Sequence, residues 1–453
     1  MGLRTAVSTS AGLAFAAVEY IAAAGLVAYV AGDSAWIAIL TAGLLALLAW
    51  GYYGELNGMF PTAAAIRLYM SRAMDDRVAL TITFSYMTTI VLVVAADAFI
   101  VGSAISHVLG ESSWTAGIWV AGLLGVAMLS NLRGIRVAGN VQDIAAYAVL
   151  ITSTAVAIIA LVRSGTALRT PFNPLQGHSP AGFAEAVALG VFLYSAFEWV
   201  TTSAEEVRRP SHIHRGMAIA VLLLFVACTA ITTAMSHLLT HAQLATSYPQ
   251  LFIGERAAGA VGLWVMGAVT MLTAVNTFNG GFVTASRFIY ATAREGSLPS
   301  ALARLNDKAV PWMPVVALAT ASFLVAIAVE ATRGWQVLVA TGAVLESTIY
   351  AVAAYCVLRL RSRDPDRARP FRIRAAPVAA WIGIVVFGLL AVVASLTVGN
   401  KLDPLPLAIV LMVAGASAWY VMKILPKVRA KEASRQASRA RRRPQRPVPD
   451  GAD

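Results

Sequence analysis

Stretches of about 20 consecutive apolar residues recur along this chain, and each is long enough to cross the hydrocarbon core of a bilayer as a helix. Such runs cover approximately residues 11–30, 35–54, 79–107, 116–132, 140–162, 181–204, 216–240, 256–282, 313–331, 335–358, 377–398 and 404–424. In lipid the backbone must satisfy its own hydrogen bonds, so the pattern predicts an all-α polytopic membrane protein with 12 transmembrane helices. The composition agrees. Hydrophobic residues make up 58% of the 453 residues and charged residues 13%, about half the charge of a soluble globule. The two cysteines, Cys228 and Cys356, both lie in apolar runs and suggest neither a disulfide framework nor a metal site. Residues 1–10 form a short cytoplasmic N-terminus with one basic residue, Arg4, and give no cleavable signal.

The formal charge of +12 follows membrane topology rather than a nucleic-acid surface. With the N-terminus in the cytoplasm, about 30 of the 35 Lys and Arg residues fall on the cytoplasmic side and about 5 outside. That asymmetry is the positive-inside pattern, and it places both termini in the cytoplasm and the chain in the cytoplasmic membrane. Residues 425–453 form a basic tail, poor in apolar side chains and so expected to be disordered. The tail either sits near the anionic inner leaflet or is simply solvated. Its arginines are not interleaved with aromatic residues, which argues against nucleic acid.

Polar residues inside the runs are few. The stretch AVALGVFLYSAFEWVTTSAEEVRRP, from Ala186 to Pro210, starts as an apolar helix and then abandons the pattern at Tyr194-Ser195-Ala196. Glu198 follows near mid-membrane, where a carboxylate costs a few kcal/mol and must face a cavity, a partner or a cation. The small and hydroxylated neighbours suit a locally unwound helix, whose freed backbone groups need partners inside the protein. A continuous helix with its Glu against a neighbour is the alternative. Glu19 lies mid-way along the first run, Asp97 interrupts the third, and Glu346 with Ser347 falls mid-way along the tenth. Asp143, near the start of the fifth run, reads either as a first-turn carboxylate or as part of a pathway. Asn276 and Asn279 precede Gly280-Gly281 in the eighth run, where the glycines are either a hinge or a close-packing point. No lysine or arginine lies deep in any run, so the interior is net acidic. Buried carboxyls without a counter-charge take up a proton or meet a cation. Glu19, Asp97, Glu198 and Glu346 are therefore candidates for coupling to protons, in preference to sodium.

Four separate stretches resemble one family. GELNGMFPTAAAIRLYMSR, with Glu55 and Phe60-Pro61, is similar to an E-L…F-P element, and SAFEWVTTSAEEVRRP to F-x-G-F-E…A-E-E-x-x-N-P. SRFIYATAREGSLPSALARLNDKAVPWMP matches S-R-x-x-Y-A-x-A-R-D-G-x-L-P…P, and RSRDPDRARPFRIRAAP is like L-R-x-x-x-P-x-x-x-R-P-[FY]. These stand in order over about 400 residues, and together they resemble the amino acid–polyamine–organocation (APC) transporters. The resemblance implies a five-plus-five inverted repeat (LeuT-like), with residues 11–163 as helices 1–5 and 180–359 as helices 6–10. Helices 11 and 12 (377–424) would lie outside the repeat. It also implies a substrate site at mid-membrane between discontinuous helices 1 and 6, and alternating access.

Carried over, Glu198 matches the Glu of the sixth-helix motif, Phe192 falls at a gating aromatic, and Ala196 stands where relatives have glycine. In the first helix, either Glu19-Tyr20-Ile21 or Ala23-Ala24-Gly25 takes the place of the family's small-residue break. The fifth helix has Val149 where some proton-coupled relatives carry lysine. The expected function is secondary transport of an amino acid or related organic amine, without a cofactor or a metal site. The expected binding residues are Val18, Glu19, Tyr20, Ala22, Phe192, Tyr194, Ser195, Phe197, Glu198, Asn276 and Asn279. The alternatives are a carrier of a carboxylate-free cation and a non-transporting receptor. Catalysis is not expected, because no nucleophile–base pair, metal cluster or phosphate loop is legible.

Overall fold

The computed structural model describes residues 2–431 and 434, apart from 16–18, 63–64, 112–114, 135–138, 169–171, 176–178, 208, 210 and 333. The protein is helical nearly throughout, as an apolar chain that must bond its own backbone requires. The helices are α1 (Leu3–Phe15), α2 (Glu19–Ala31), α3 (Ala35–Met59), α4 (Ala65–Ala73), α5 (Asp76–Val108), α6 (Ala116–Leu132) and α7 (Gly139–Ser164). They continue with α8 (Pro180–Leu193), α9 (Ser211–Leu238), α10 (His241–Leu244), α11 (Pro249–Arg294), α12 (Trp312–Thr332), α13 (Trp335–Arg363), α14 (Ala376–Leu396) and α15 (Leu405–Trp419). A 3-10 helix covers Phe197–Glu206, and a π turn, Tyr420–Ile424, extends α15. Among the described residues, ten helical stretches are long and apolar enough to cross a membrane, and Ala116–Leu132 is a shorter apolar helix.

Local chemistry sets several starts. Asp75 accepts a hydrogen bond from the Arg77 amide at 2.9 Å and opens α5; Ser179 accepts from the Gly182 amide at 3.0 Å and opens α8, with Pro180 in its first turn. The eighth run departs from the expectation of one regular helix. Within α11, Ala258 and Gly259 leave helical geometry, Gly259 with φ 57°, a left-handed value that favours glycine. The two arms then touch so closely that a Cβ on Gly254 would collide with the Gly262 carbonyl, and one on Gly262 with that of Gly254. The bend therefore sits there rather than at Gly280-Gly281, which continues the helix; a Cβ on Gly281 would press on Val94 of α5.

Two polar clamps bracket the bundle. At the end where α13 stops, Glu55 of α3 is buried to 1% and receives the Arg361 guanidinium through Nε at 2.7 Å and Nη2 at 2.6 Å. Arg369 stands 3.5 Å from the same carboxylate, and the Ile373 amide donates to it at 2.9 Å. Arg367 lies over the Phe60 ring at 4.0 Å and donates to the Met59 carbonyl at 3.0 Å. Two stretches singled out separately in the sequence, 54–72 and 361–377, thus form one joint. At the opposite end β1 (Thr397–Val398) and β2 (Lys401–Leu402) pair as an antiparallel hairpin whose turn, Gly399-Asn400, has both φ values near +60°. Glu185 of α8 accepts from the Gly399 and Asn400 amides at 2.6 and 3.1 Å, and the Asn400 side chain donates to the Val30 carbonyl at 2.9 Å. The hairpin so ties α14 and α15 to the ends of α2 and α8.

Removing one partner of a buried ion pair leaves the other charge uncompensated, a loss of about 3–5 kcal/mol. Glu55→Ala is expected to destabilise the protein by about that amount, and Glu55→Gln by less, because it keeps an acceptor. Thermal unfolding of the purified protein checks the order.

Candidate substrate and coupling site

The sequence Leu193-Tyr194-Ser195-Ala196 ends α8 abruptly. The Tyr194 and Ser195 amides turn back to the Val191 and Phe192 carbonyls at 3.1 and 3.0 Å, and Ala196 takes φ 67°. That left-handed conformation costs an L-residue about 1–2 kcal/mol. The chain resumes as a 3-10 helix whose Trp199 amide donates to the Ala196 carbonyl at 3.2 Å. Carbonyls near the interruption find side-chain hydroxyls. Thr201 donates to the Glu198 carbonyl at 2.7 Å, Thr202 to that of Trp199 at 2.7 Å, and Ser10 of α1 to that of Phe197 at 2.6 Å. The Thr, Ser and Ala residues around Glu198 are thus the donors and the small contacts that a bent backbone needs in an apolar interior.

Glu198 is buried to 2% and points into a cluster supplied by three other helices. Tyr86 of α5 donates its hydroxyl to Oε1 at 3.0 Å, and Tyr350 of α13 donates to Oε2 at 3.0 Å. The Trp199 indole in turn donates to the Tyr86 hydroxyl at 2.8 Å. Glu346, one turn from Tyr350 on α13, is buried to 1% on the same helix face. Tyr53 of α3 completes the group, its ring 6.1 Å from that of Tyr350 and 6.5 Å from that of Phe197. Among the described residues, neither carboxyl group has an arginine or lysine in salt-bridge contact.

The other expected site residues are distributed around this cluster. Phe197 is buried within it, with its ring 6.1 Å from that of Tyr350. Phe192 packs its ring against Gly342 of α13, where a Cβ would collide. Tyr194 donates to the Ile39 carbonyl of α3 at 3.3 Å, so its hydroxyl is turned away from Glu198. Ser195 is half-buried at the bend, and Ala22 is buried in α2. Asp97 is buried on α5 but lies three turns beyond Tyr86, about 16 Å at 1.5 Å per residue. Val18 lies outside the described residues; Glu19 and Tyr20 open α2, and Asn276 and Asn279 lie in α11, their side chains likewise outside what is described. Residues 16–18, between α1 and α2, lie outside the described residues, and both Glu19-Tyr20-Ile21 and Ala23-Ala24-Gly25 fall within α2. A Cβ on Gly25 would collide with the Pro249 ring, which makes it a packing glycine.

Tyr53, Tyr86 and Tyr350 were not singled out from the sequence. The signal was there for Tyr350, since Glu346 and Tyr350 are spaced to share one helix face. Tyr86 and Tyr53 carried a weaker one: tyrosines in membrane helices concentrate at the interfaces, and a phenol deep in a span asks for a polar partner.

The amino acid permease family model matches residues 6–421. The chain belongs to the amino acid permease family. It is 24% identical over 396 residues to the gamma-aminobutyric acid permease of Escherichia coli (strain K12), covering 79% of this chain and 80% of that one. It is 27% identical over 274 residues to the large neutral amino acids transporter small subunit 2 of Homo sapiens, covering 57% of this chain and 50% of that one. Crystal structures of a manganese transporter of Eremococcus coleocola share the fold, with a TM-score of 0.60, 15% identity and coverage of 93% and 94%. This permease is therefore a multi-pass membrane protein of a transporter family and not an enzyme.

Each tyrosine bond to Glu198 is testable alone. Leaving a buried acceptor unsatisfied costs about 1–3 kcal/mol. Tyr86→Phe also strands the Trp199 indole N–H, so it is expected to lower thermal stability more than Tyr350→Phe does, each within about that range.

Proposed function

We propose that this permease is a secondary active transporter that carries an amino acid or a related organic amine across the cytoplasmic membrane by alternating access. The observation that carries the reading is Glu198, set on an interrupted span and held by side chains from α5 and α13. An interrupted helix at mid-membrane presents unpaired backbone groups to a substrate, and its two halves can swing separately. The names of the Escherichia coli and human relatives support the substrate class.

In this reading the chain crosses the membrane 12 times with both termini in the cytoplasm. Residues 1–10 precede the first repeat (11–163) and the inverted repeat (180–359); helices 11 and 12 (377–424) and the basic tail (425–453) follow. The first span is discontinuous, as the family resemblance implies, and the sixth is interrupted at Tyr194–Ala196. Substrate is held by Val18, Glu19, Tyr20 and Ala22 on one side and by Phe192, Tyr194, Ser195, Phe197 and Glu198 on the other, with Asn276 and Asn279 from α11. The driving ion is a proton rather than sodium, taken up by carboxyl groups of the core. A carboxylate-free cation is the second reading, favoured by two buried acids, Glu198 and Glu346, without a salt-bridged cation among the described residues.

Thermal unfolding with γ-aminobutyrate, leucine and phenylalanine beside isoamylamine and phenethylamine separates the two readings. A ligand at about 100 times its dissociation constant adds about 2.7 kcal/mol of stability. Stabilisation by one or more of the amino acids, lost in Glu198→Gln, is the expected result. Stabilisation by the amines alone favours the carboxylate-free cation, and stabilisation by none of the five contradicts the proposal.

A further inference from the structure

A recess of about 260 Å³ opens between α6, α11 and the start of α12, and it shares no lining residue with the candidate site. Its polar lining is Asn131 of α6 with Ser286, Arg287 and Tyr290 of α11, and Leu305 and Val310 from the loop before α12 give it an apolar wall. It lies at the end of the bundle that carries the Glu55 clamp. There α6 stops at Leu132 and α12 starts at Trp312, and Arg67 of α4 pairs with Glu295 after α11 at 3.3 Å.

The rim of the recess is fixed in place. Asn306 folds the loop onto the end of α6: its side-chain amide donates to the Leu132 carbonyl at 2.8 Å, and its Oδ1 accepts from the Lys308 and Val310 amides at 3.0 and 2.9 Å. Ala309, a lining residue, takes φ 56°, a left-handed value that is costly for any residue but glycine. Such strain persists only where the surroundings over-determine it, and it clusters at ligand clamps. Asn131 is 6% exposed and gives one amide N–H to the Ala127 carbonyl at 2.9 Å; the amide group carries a second.

The charge around the recess is of one sign. Arg287 is exposed, stands seven residues (about 10 Å) before the end of α11 at Arg294, and forms no ion pair among the described residues. Arg133, Arg304 and Lys308, all exposed, each adjoin a lining residue in the chain, and Arg294 lies over the Tyr290 ring at 5.7 Å. Asp307 is the only acid from residue 304 to 311, and Glu295 is taken by Arg67. Trp312, 41% exposed at the start of α12, marks the level as interfacial.

We propose that this recess binds the headgroup of an anionic phospholipid, with the phosphodiester on the Arg287 guanidinium and Asn131 beneath it, and the acyl chains left in the bilayer. The planar fork of an arginine matches phosphate oxygens in pairs. Basic recesses between membrane helices suit such headgroups, and the chains add apolar burial that a soluble anion lacks. The proposal needs the membrane but not the transport reading.

Native mass spectrometry of the full chain in detergent, titrated with dioleoylphosphatidylglycerol or dioleoylphosphatidylcholine, reads lipid retention directly. Tighter retention of phosphatidylglycerol is the expected result. Arg287→Gln is expected to weaken it about fivefold, the equivalent of about 1 kcal/mol for one basic residue near an anionic group. Lys401→Gln, an exposed cation at the opposite end of the bundle, is expected to leave it unchanged. Equal retention of the two lipids overturns the proposal, as does a preference that survives Arg287→Gln or falls as far in Lys401→Gln. Glycerol phosphate at the same concentration is expected not to displace the lipid; displacement would assign the recess to a soluble phosphate ester and overturn the proposal. Phosphatidylglycerol with a photoreactive headgroup tests the wild type without any variant. Labelling of residues 283–290 or 305–315 is expected, and labelling confined to other segments overturns the assignment.

Discussion

The structure depends on a carboxyl group carried into an apolar interior on a piece of backbone that has stopped being an α-helix. Either alone would be unfavourable: an acid without a counter-charge, and a membrane-embedded chain with open hydrogen bonds. Together they answer each other. The bend at Tyr194–Ala196 aims Glu198 at Tyr86 and Tyr350, and the hydroxyls of Ser10, Thr201 and Thr202 take up carbonyls along the bent segment. The site is held by hydroxyl groups and not by fixed charges, so its bonds can be exchanged without stranding an ion.

An ion pair and backbone amides are used instead at the periphery. Glu55 with Arg361 and Arg369 joins α3 to the segment after α13, and Glu185 with the Gly399-Asn400 turn joins α8 to the segment between α14 and α15. A buried bidentate Arg–carboxylate pair resists breaking, whereas a phenol–carboxyl bond contributes only a few kcal/mol at most. The rigid joints therefore stand at the two ends of the bundle and the exchangeable ones at its centre. That distribution sets a rigid frame around the interrupted segment.

Much of this was legible in the sequence because apolar run length and charge asymmetry report directly on membrane crossings. The described helices fall where the apolar runs do, and the small and hydroxylated residues before and after Glu198 stand where α8 ends at Leu193 and the 3-10 helix begins at Phe197. The eighth run was misleading, since Ala258 and Gly259 interrupt it while the more conspicuous Gly280-Gly281 does not. Hydropathy sees neither a single left-handed residue nor the glycine contacts between Gly254 and Gly262. The contact of Tyr350 with Glu198 was also out of reach, because more than a hundred residues separate them and only packing brings α13 beside the bent segment. The pairing of residues 54–72 with 361–377 was hidden for the same reason.

The central claim is that Glu198 holds the interrupted span against α5 and α13 through Tyr86 and Tyr350. Cys356, fully buried on α13 between Tyr350 and Arg361, is a native reporter of the packing around that tie. The rate at which a water-soluble maleimide labels Cys356 in lipid, with Cys228→Ala as background, measures its opening. The account predicts faster labelling once Glu198→Ala removes the tie. An unchanged rate in a folded protein would contradict it.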